Sequence, residues 1–371
     1  MSFVPFAMER WQSTYENEVG VNLSESGVHP LTVGELLVLA GAGDGLEAVR
    51  LGYGYSNGSP ALREAIAALY PDATPDNVVT FNGSAEANFL ALWELIDPGD
   101  RVVLLLPAYM QSAGIARMRG ARVREVWLRE ARGWQPDLEE LRRACADARL
   151  VVVTNPNNPT GAVLSPEARS TLLAAASRNG AWILSDEVYA GAELDGPATS
   201  SLWGESERVV ATGSLSKAYG LPGLRLGWAV APTKTVARLW ARGDYTTISH
   251  GPLTDRLGTL ALRTDVREQI LARTRAILRQ NLPLADRLLG AAGFQYHPPS
   301  AGAILWARYP GTLPSAELAE LARRIDDVLV VPGEHFLMEG FVRIGYGMPP
   351  HELAEGLTRL LHTLQRTVVA R

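Results

Sequence analysis

The feature that most constrains the fold is a regular alternation of strand-like and helix-like runs, which begins at about residue 60. The run SPALREAIAALY has apolar residues at helical spacing, whereas RVVLLLP and ARLVVVTNP are short, continuously apolar runs typical of buried parallel strands. Further strands are predicted at AWILSDE, RVVATGSLS and LRLGWAVAP. This alternation predicts an α/β fold with a mostly parallel sheet, helices on both faces, and functional residues at the carboxyl ends of the strands.

The pattern changes after about residue 250, where helix-like runs dominate and are followed by short strands around AILWARY, VLVVPG and FVRIGYG. The length of 371 residues also exceeds the roughly 250–300 residues at which a single hydrophobic core stops growing. We therefore predict a large domain over residues 46–252, a smaller C-terminal α+β domain over residues 253–371, and an N-terminal segment, residues 1–45, that joins the small domain.

Composition and charge exclude several classes of function. Acidic and basic residues are mixed along the chain, with a net charge of −5 and no basic block, so nucleic acid is not an expected partner. The six histidines and the single cysteine, Cys145, show no metal-ligand spacing, so no metal is expected. No apolar run approaches the ~20 residues that span a bilayer, and the first 20 residues lack the pattern of a secretory signal. We therefore expect a cytoplasmic protein without a membrane partner.

The segment GSLSKAYGLPGLRLGW, residues 213–228, carries the strongest chemical pattern. Its Lys217 is one of only two lysines in a chain with 35 Lys and Arg residues. A lysine that forms a Schiff base needs a fixed backbone and a lowered pKa. Ser214, Ser216 and Arg225 are the kinds of donor that a phosphate monoester requires. A strand–loop–strand with a surface lysine is the alternative.

Four further segments fall at the ends of predicted strands. NGSAEANF, residues 82–89, opens a helix whose free amides could bind an anion, or it is an ordinary capped helix. TNPNNPTG, residues 154–161, is a rigid turn that presents side-chain amides, or a simple loop. In ILSDEVYAG, residues 183–191, Asp186 could pair with a protonated pyridine nitrogen or cap the next helix. In FVRIGYG, residues 341–347, Arg343 could bind a carboxylate or form a structural ion pair.

Together the five segments resemble the class I/II aminotransferases of pyridoxal-phosphate (PLP) fold-type I, most specifically in the NPxNPTG and SxSKxxGxxGxRxGW motifs. The resemblance covers nearly the whole chain. It implies that the large domain binds PLP as the cofactor, and that the substrates are an L-amino acid and a 2-oxo acid. It also implies a homodimer with shared active sites.

The resemblance further implies roles for individual residues. Lys217 would hold PLP as a Schiff base and move the substrate proton, with Asp186 at the pyridine nitrogen and Tyr189 at the phenolic oxygen. The other implied cofactor contacts are Ser84, Ala85, Tyr109 (stacked on the ring), Asn158, Ser214, Ser216 and Arg225. The implied substrate contacts are Gly27, Asn158 and, for the α-carboxylate, Arg343. Tyr53 would reach the phosphate of the neighbouring subunit, although Tyr55 competes for that role.

Three functions stay open on the sequence. The first is transamination, which is favoured because NPNNPTG and SDEVY keep the plain aminotransferase form. The second is elimination or ring closure by a PLP lyase or cyclase. It arises because LSESGVHP, LSKAYGLPGLRLGW and RGDYTTISHGPLT look closer to the capreomycidine synthases, relatives that act on a hydroxylated arginine. The third, an effector-sensing module of a transcription regulator, is disfavoured because the roughly 45 residues before the core show no helix-turn-helix pattern.

Overall fold

The structure is a computed structural model that describes residues 4–43 and 45–369. The helices are α1 (Ala7–Tyr15), α2 (Val33–Leu39), α3 (Pro60–Ala67), α4 (Ser84–Leu95), α5 (Gln111–Met118), α6 (Leu138–Cys145), α7 (Pro166–Arg178), α8 (Thr233–Gly243), α9 (Pro252–Leu262), α10 (Thr264–Ala291), α11 (Ser315–Asp326) and α12 (Pro350–Val369). The strands are β1 (Val21–Asn22), β2 (Val78–Asn82), β3 (Arg101–Leu106), β4 (Arg122–Arg129), β5 (Gln135–Pro136), β6 (Leu150–Thr154), β7 (Trp182–Asp186), β8 (Val209–Ser214), β9 (Leu226–Val230), β10 (Ile304–Arg308), β11 (Val328–Leu329), β12 (Val331–Pro332) and β13 (Phe341–Gly345).

An eight-stranded sheet forms the centre of the larger lobe, in the order β2-β9-β8-β7-β6-β3-β4-β5. The strands β8, β7, β6, β3 and β4 are parallel, whereas β9 is antiparallel to β2 and β8, and β5 is antiparallel to β4. Both faces are covered, since Val151 and Val153 belong to one apolar core with α6 and α7, and Leu150 and Val152 to another with α4, α5 and α8. The predicted α/β fold with a mostly parallel sheet is confirmed.

The register of the central strands brings polar residues together at one edge of the sheet. Asp186, the last residue of β7, is paired with Thr154 of β6 on one side and with Thr212 of β8 on the other. The carboxyl ends of parallel strands are where an open α/β sheet binds its ligands. The segments 154–161, 183–191 and 213–228 therefore meet at this edge.

Three of the remaining strands form a smaller sheet, in the order β10-β13-β12, in which both pairings are antiparallel. The N-terminal segment is hydrogen-bonded to this part of the chain, because β1 pairs in parallel with β11. The exact limits of the three predicted segments stay a prediction. Within the described ranges, no helix combines the length and the apolar character that crossing a bilayer requires.

Candidate active site

Lys217 lies in the loop between β8 and β9, just beyond the carboxyl edge of the parallel strands. Its Nζ is 2.9 Å from Oε1 of Glu25, which comes from the N-terminal segment. Burial disfavours the charged amine, but Glu25, and after it Tyr189, outweigh burial, so the pKa of Lys217 is raised above its ordinary value. The expectation of a lowered lysine pKa is therefore wrong for this arrangement, because a carboxylate faces the amine. The lysine in turn lowers the pKa of Glu25 to about 2.

Asp186 is a buried carboxylate at the end of β7. Its Oδ2 accepts a hydrogen bond from Asn88 Nδ2 at 2.8 Å, and Asn88 Oδ1 accepts one from Thr212 at 2.7 Å, so the amide is held in one orientation. Burial raises the pKa of Asp186 to about 6, which the bonds from Asn88 and Val188 and the charge of Lys217 only partly oppose. A cationic N–H donor would stabilise this carboxylate further.

An anion-binding cradle lies at the N-terminus of α4. Gly83 precedes the helix with φ +81°, a left-handed backbone that favours glycine, and the first turn leaves the amides of Ser84 and Ala85 free. The Arg225 guanidinium lies beside this turn, since a Cβ on Gly83 would be 2.5 Å from Arg225 Nη2. The backbone of Gly227 packs so closely that a Cβ there would be 2.2 Å from Ser84 N. Helix amides and a guanidinium together suit a phosphate group.

Arg343, on β13, is a fully buried guanidinium that faces the same cavity. Its Nη1 donates to Asn158 Oδ1 at 3.0 Å, and its Nη2 donates to the Ser24 carbonyl at 2.6 Å and to Gln12 Oε1 at 3.3 Å. Its Nε is buried and has no hydrogen-bond partner in the part of the chain that the structure describes. All of these acceptors are neutral, and burial lowers the pKa of Arg343. A carboxylate would therefore supply a charged hydrogen-bond partner in place of these neutral acceptors.

Two tyrosines help to close the cavity. Tyr189 is buried, and burial raises the pKa of its hydroxyl. Tyr109 donates its hydroxyl to Glu9 Oε1 at 2.8 Å, and its ring meets Phe6 edge-on with ring centroids 4.9 Å apart. Because Phe6 directly precedes α1 and Glu9 lies on it, these contacts fix α1 as a roof over the cavity.

These groups surround a cavity of about 350 Å³. The predicted site residues that line it are Ser84, Ala85, Tyr109, Asn158, Asp186, Tyr189, Ser216, Lys217, Arg225 and Arg343. Five separate segments of the sequence thus meet at one cavity, while the individual roles of their residues stay predictions. Among the residues described, no group of His, Cys, Asp and Glu side chains is arranged to hold a metal ion.

Three predicted site residues do not line this cavity. Ser214 is buried behind the lysine loop, where its Oγ accepts a hydrogen bond from the Ser216 N–H at 3.2 Å. Gly27 contacts that loop instead, since a Cβ on it would be 3.3 Å from the Ser216 carbonyl oxygen. Tyr53 is 88% exposed at the surface, and its competitor Tyr55 is 61% exposed. A contact of either tyrosine with a neighbouring subunit stays a prediction.

Sequence reasoning missed several polar residues of the cavity wall, namely Glu9, Gln12, Glu16, Glu25 and Asn88. The first three are spaced by three and four residues, as on one face of a helix, so a helix prediction near the N-terminus would have grouped them. Asn88 lies one helical turn after Ser84, within a segment already singled out. Nothing in the sequence marks Glu25 except its position two residues before Gly27.

The chain is similar in sequence and in structure to known proteins. The family model for aminotransferase class I and II matches residues 38–360. Capreomycidine synthase of Streptomyces vinaceus is 36% identical, over 96% of this chain and 93% of that protein. The crystal structure of a PLP-dependent aminotransferase from Streptococcus suis superposes with a TM-score of 0.93 at 33% identity and covers 99% of both chains. The PLP-dependent cyclase OrfR gives a TM-score of 0.90 at 27% identity, over 99% of this chain and 98% of its own.

These matches confirm the fold-type I architecture, the local likeness to capreomycidine synthases and the PLP cofactor that the sequence motifs predicted. The family model spans most of the chain, and the structural matches extend over both lobes. The chain therefore belongs to the class I and II aminotransferase family.

Proposed function

We propose that the protein is an aminotransferase that moves the amino group of an L-amino acid to a 2-oxo acid, with Lys217 as the residue that holds the cofactor. Its main support is that Lys217 and Arg343, whose guanidinium donates only to neutral acceptors, line the same cavity as Asp186. Transamination needs an amine that exchanges with the substrate amine, a cation for the α-carboxylate and an anion for the cofactor ring. These three side chains meet those needs.

The residues around the cavity fit PLP. The first amides of α4 and Arg225 suit the phosphate, and Asp186, whose charged form burial destabilises, suits a protonated pyridine nitrogen. The Oδ1 of Asn158 accepts a hydrogen bond from Arg343. Its Nδ2 can therefore donate to the phenolic oxygen of PLP, together with Tyr189. When bound, PLP supplies an aldehyde that condenses with amines and a ring that delocalises the electrons left on a deprotonated α-carbon.

The side chains of the cavity then carry substrate binding and proton transfer. Arg343 binds the α-carboxylate with paired N–H donors and so fixes the direction of the substrate Cα–H bond. The free amine of Lys217 accepts the proton from Cα as the general base. Met8 and Gln12 of α1 line the cavity and shield it from water.

A second candidate, elimination with ring closure on a hydroxylated arginine-like amino acid, is favoured by the charge of the cavity wall. Glu9, Glu16 and Glu25 line the cavity together. Burial raises the pKa of Glu16, and Glu25 and Glu9 raise it further, so the three carboxylates repel one another. A guanidinium would stabilise them, whereas an acidic or apolar substrate side chain would not. The likeness to capreomycidine synthase and to the cyclase OrfR supports the same candidate.

A single-turnover absorbance experiment separates the two candidates. The holoenzyme is mixed with a panel of L-amino acids, hydroxyarginines included, without any oxo acid. An aminotransferase converts its cofactor to the amine form and stops after one turnover per site, and the donor that does so identifies the substrate class. A lyase or cyclase returns to its original absorbance while product accumulates. A holoenzyme that responds to none of these donors would contradict both candidates.

The two lysines of the chain provide a matched pair of variants. Lys217→Ala should lower turnover by at least about 1000-fold, because the general base and the cofactor-holding amine are both lost. Lys234, at the start of α8, is exposed, and Lys234→Ala should keep the wild-type rate. Turnover of Lys217→Ala at the wild-type rate would refute the role given to Lys217.

We also propose a cytoplasmic homodimer with shared active sites. Leu51, Tyr53 and Tyr55 are 82%, 88% and 61% exposed in the single chain, and burying such apolar side chains against a second subunit would stabilise a dimer. Neither tyrosine lines the cavity of its own chain, so each is free to approach a neighbour's. Light scattering coupled to size-exclusion chromatography tests the assembly, and a monomeric holoenzyme would contradict it.

A further inference from the structure

Glu25 is the carboxylate that is hydrogen-bonded to the reactive lysine. Its Oε1 accepts hydrogen bonds from Lys217 Nζ at 2.9 Å and from the backbone N–H groups of Ser26 and Gly27 at 2.8 and 2.9 Å. Three donors converge on one oxygen, which favours the ionised carboxylate. The lysine nitrogen therefore faces a fixed negative charge.

The backbone around Glu25 is held by strands of the smaller lobe and not by Lys217. Leu23 is bonded on both sides, since its N–H donates to the Leu329 carbonyl at 2.8 Å and its carbonyl accepts from the Gly345 N–H at 2.6 Å. A Cβ on Gly345 would be 2.0 Å from the Glu25 carbonyl oxygen, so the two backbones are in close contact. These contacts keep Glu25 in place whatever the covalent state of the lysine.

Some of the other ionisable groups around the lysine nitrogen raise its pKa, and others lower it. Tyr189, after β7, raises the pKa of Lys217, while burial and Arg343, on β13, lower it. The charge of the lysine also acts on the pKa of Asp186 on β7 and of Glu16 at the end of α1, in the lowering direction. Among the groups that favour a proton on this nitrogen, Glu25 acts most strongly.

We propose that Glu25 sets the protonation state of the Lys217 nitrogen and keeps a proton on it to a higher pH than the rest of the site would allow. The inference rests on the proposed role of Lys217 as the cofactor-holding residue, and it makes Glu25 a positioning residue that acts through the lysine. It applies to the nitrogen joined to the cofactor and to the free amine alike, because Glu25 does not depend on the lysine for its place.

The test is a spectrophotometric pH titration of the holoenzyme without substrate, because the absorbance of PLP joined to a lysine changes when the nitrogen loses its proton. Glu25→Gln removes the charge but keeps the shape and the acceptor oxygen. An opposite charge at this distance shifts a pKa by about 1–3 units, so the midpoint should fall by about 1–3 pH units. Glu25→Asp keeps a charge and should restore most of the wild-type midpoint.

Glu16→Gln is the matched control. Glu16 is a carboxylate of the same cavity whose side chain makes no hydrogen bond to Lys217, so its loss should shift the midpoint by less than about half a unit. A Glu25→Gln midpoint within about 0.3 units of the wild-type value would overturn the proposal, as would an equal shift in Glu16→Gln. Glu25→Ala should show the same fall as Glu25→Gln and decides the matter if the glutamine variant does not fold.

A failure of the proposed function gives a different result. If Lys217→Ala binds PLP with the same pH-dependent absorbance as the wild type, the lysine does not hold the cofactor, whatever the midpoint of the Glu25 variants. If the pH-dependent absorbance requires Lys217 but its midpoint is unchanged in the Glu25 variants, only the inference about Glu25 fails. The titration needs no turnover, so it does not depend on whether the enzyme transaminates or cyclises its substrate.

Discussion

The buried carboxylate of Asp186 leads to a quantitative prediction for Asp186→Asn. In the cofactor-free protein, burial raises the pKa of Asp186 from its ordinary 3.8 to about 6. Between these two values the folded state binds more protons than the unfolded state, so the free energy of unfolding falls as the pH rises. A shift of about 2 units corresponds to about 3 kcal/mol of destabilisation at pH 8, of which about half develops between pH 5 and pH 8.

Asparagine removes this destabilisation together with one weak hydrogen bond. Its Oδ1 can still accept the bond from Asn88, but its Nδ2 cannot accept the 3.3 Å bond that the Val188 N–H donates to Asp186. Losing that bond costs about 1 kcal/mol. The free energy of unfolding of the cofactor-free variant should therefore exceed that of the wild type by about 2 kcal/mol at pH 8, and by well under about 1 kcal/mol at pH 5.

Urea denaturation of the cofactor-free proteins at both pH values measures these differences. Asp195→Asn replaces an exposed aspartate and serves as the control, with an expected change of less than about 0.5 kcal/mol at either pH. Added PLP should make the wild type more stable than Asp186→Asn at pH 8, because a protonated pyridine nitrogen pairs with the carboxylate and not with the amide. A cofactor-free variant that is less stable than the wild type at pH 8, or a difference that does not depend on pH, would refute the reasoning.

Three further predictions concern the phosphate cradle and the subunit contact. Gly227→Ala should lower the free energy of unfolding by at least about 3 kcal/mol, since its Cβ would lie 2.2 Å from backbone atoms. Gly223→Ala is the control: its Cβ would lie in open space and should change the free energy of unfolding by less than about 1 kcal/mol. Thermal unfolding compares the two variants. Arg225→Lys should raise the Kd for PLP about tenfold in a fluorescence titration, because lysine cannot pair with a phosphate in bidentate fashion. Tyr53→Phe should raise the same Kd and Tyr55→Phe should not, and the opposite order would transfer the phosphate contact to Tyr55.

The parallel part of the sheet could be predicted because burial on both faces leaves a direct mark in the sequence. The strands β3 and β6 read RVVLLL and LVVVT, continuous apolar runs with no alternation. The strand β9 has a similar composition but is antiparallel to β8, and its direction depends on the path of the lysine loop, which no periodicity records. β1, with only two residues, is too short to leave any pattern.

The cofactor side of the cavity could be predicted because its chemistry demands particular residue types in particular segments. The α1 wall could not, since a helix with Glu9, Gln12 and Glu16 on one face has the same pattern as a helix whose polar face meets water. Glu25 and Lys217 are 192 positions apart in the sequence, so no pattern near the lysine indicates its raised pKa. The sequence therefore did not indicate the part of the cavity wall that α1 and Glu25 form.

The roof over the cavity has a consequence for the order in which the protein is assembled. Trp11 donates to the Val330 carbonyl, 319 residues away, and Gln12 accepts from Arg343, 331 residues away. Both partners follow the strands of the large sheet in the chain, so the ribosome synthesises those strands before it synthesises the partners. α1 precedes both partners in the chain, but it cannot make these contacts until they have been synthesised.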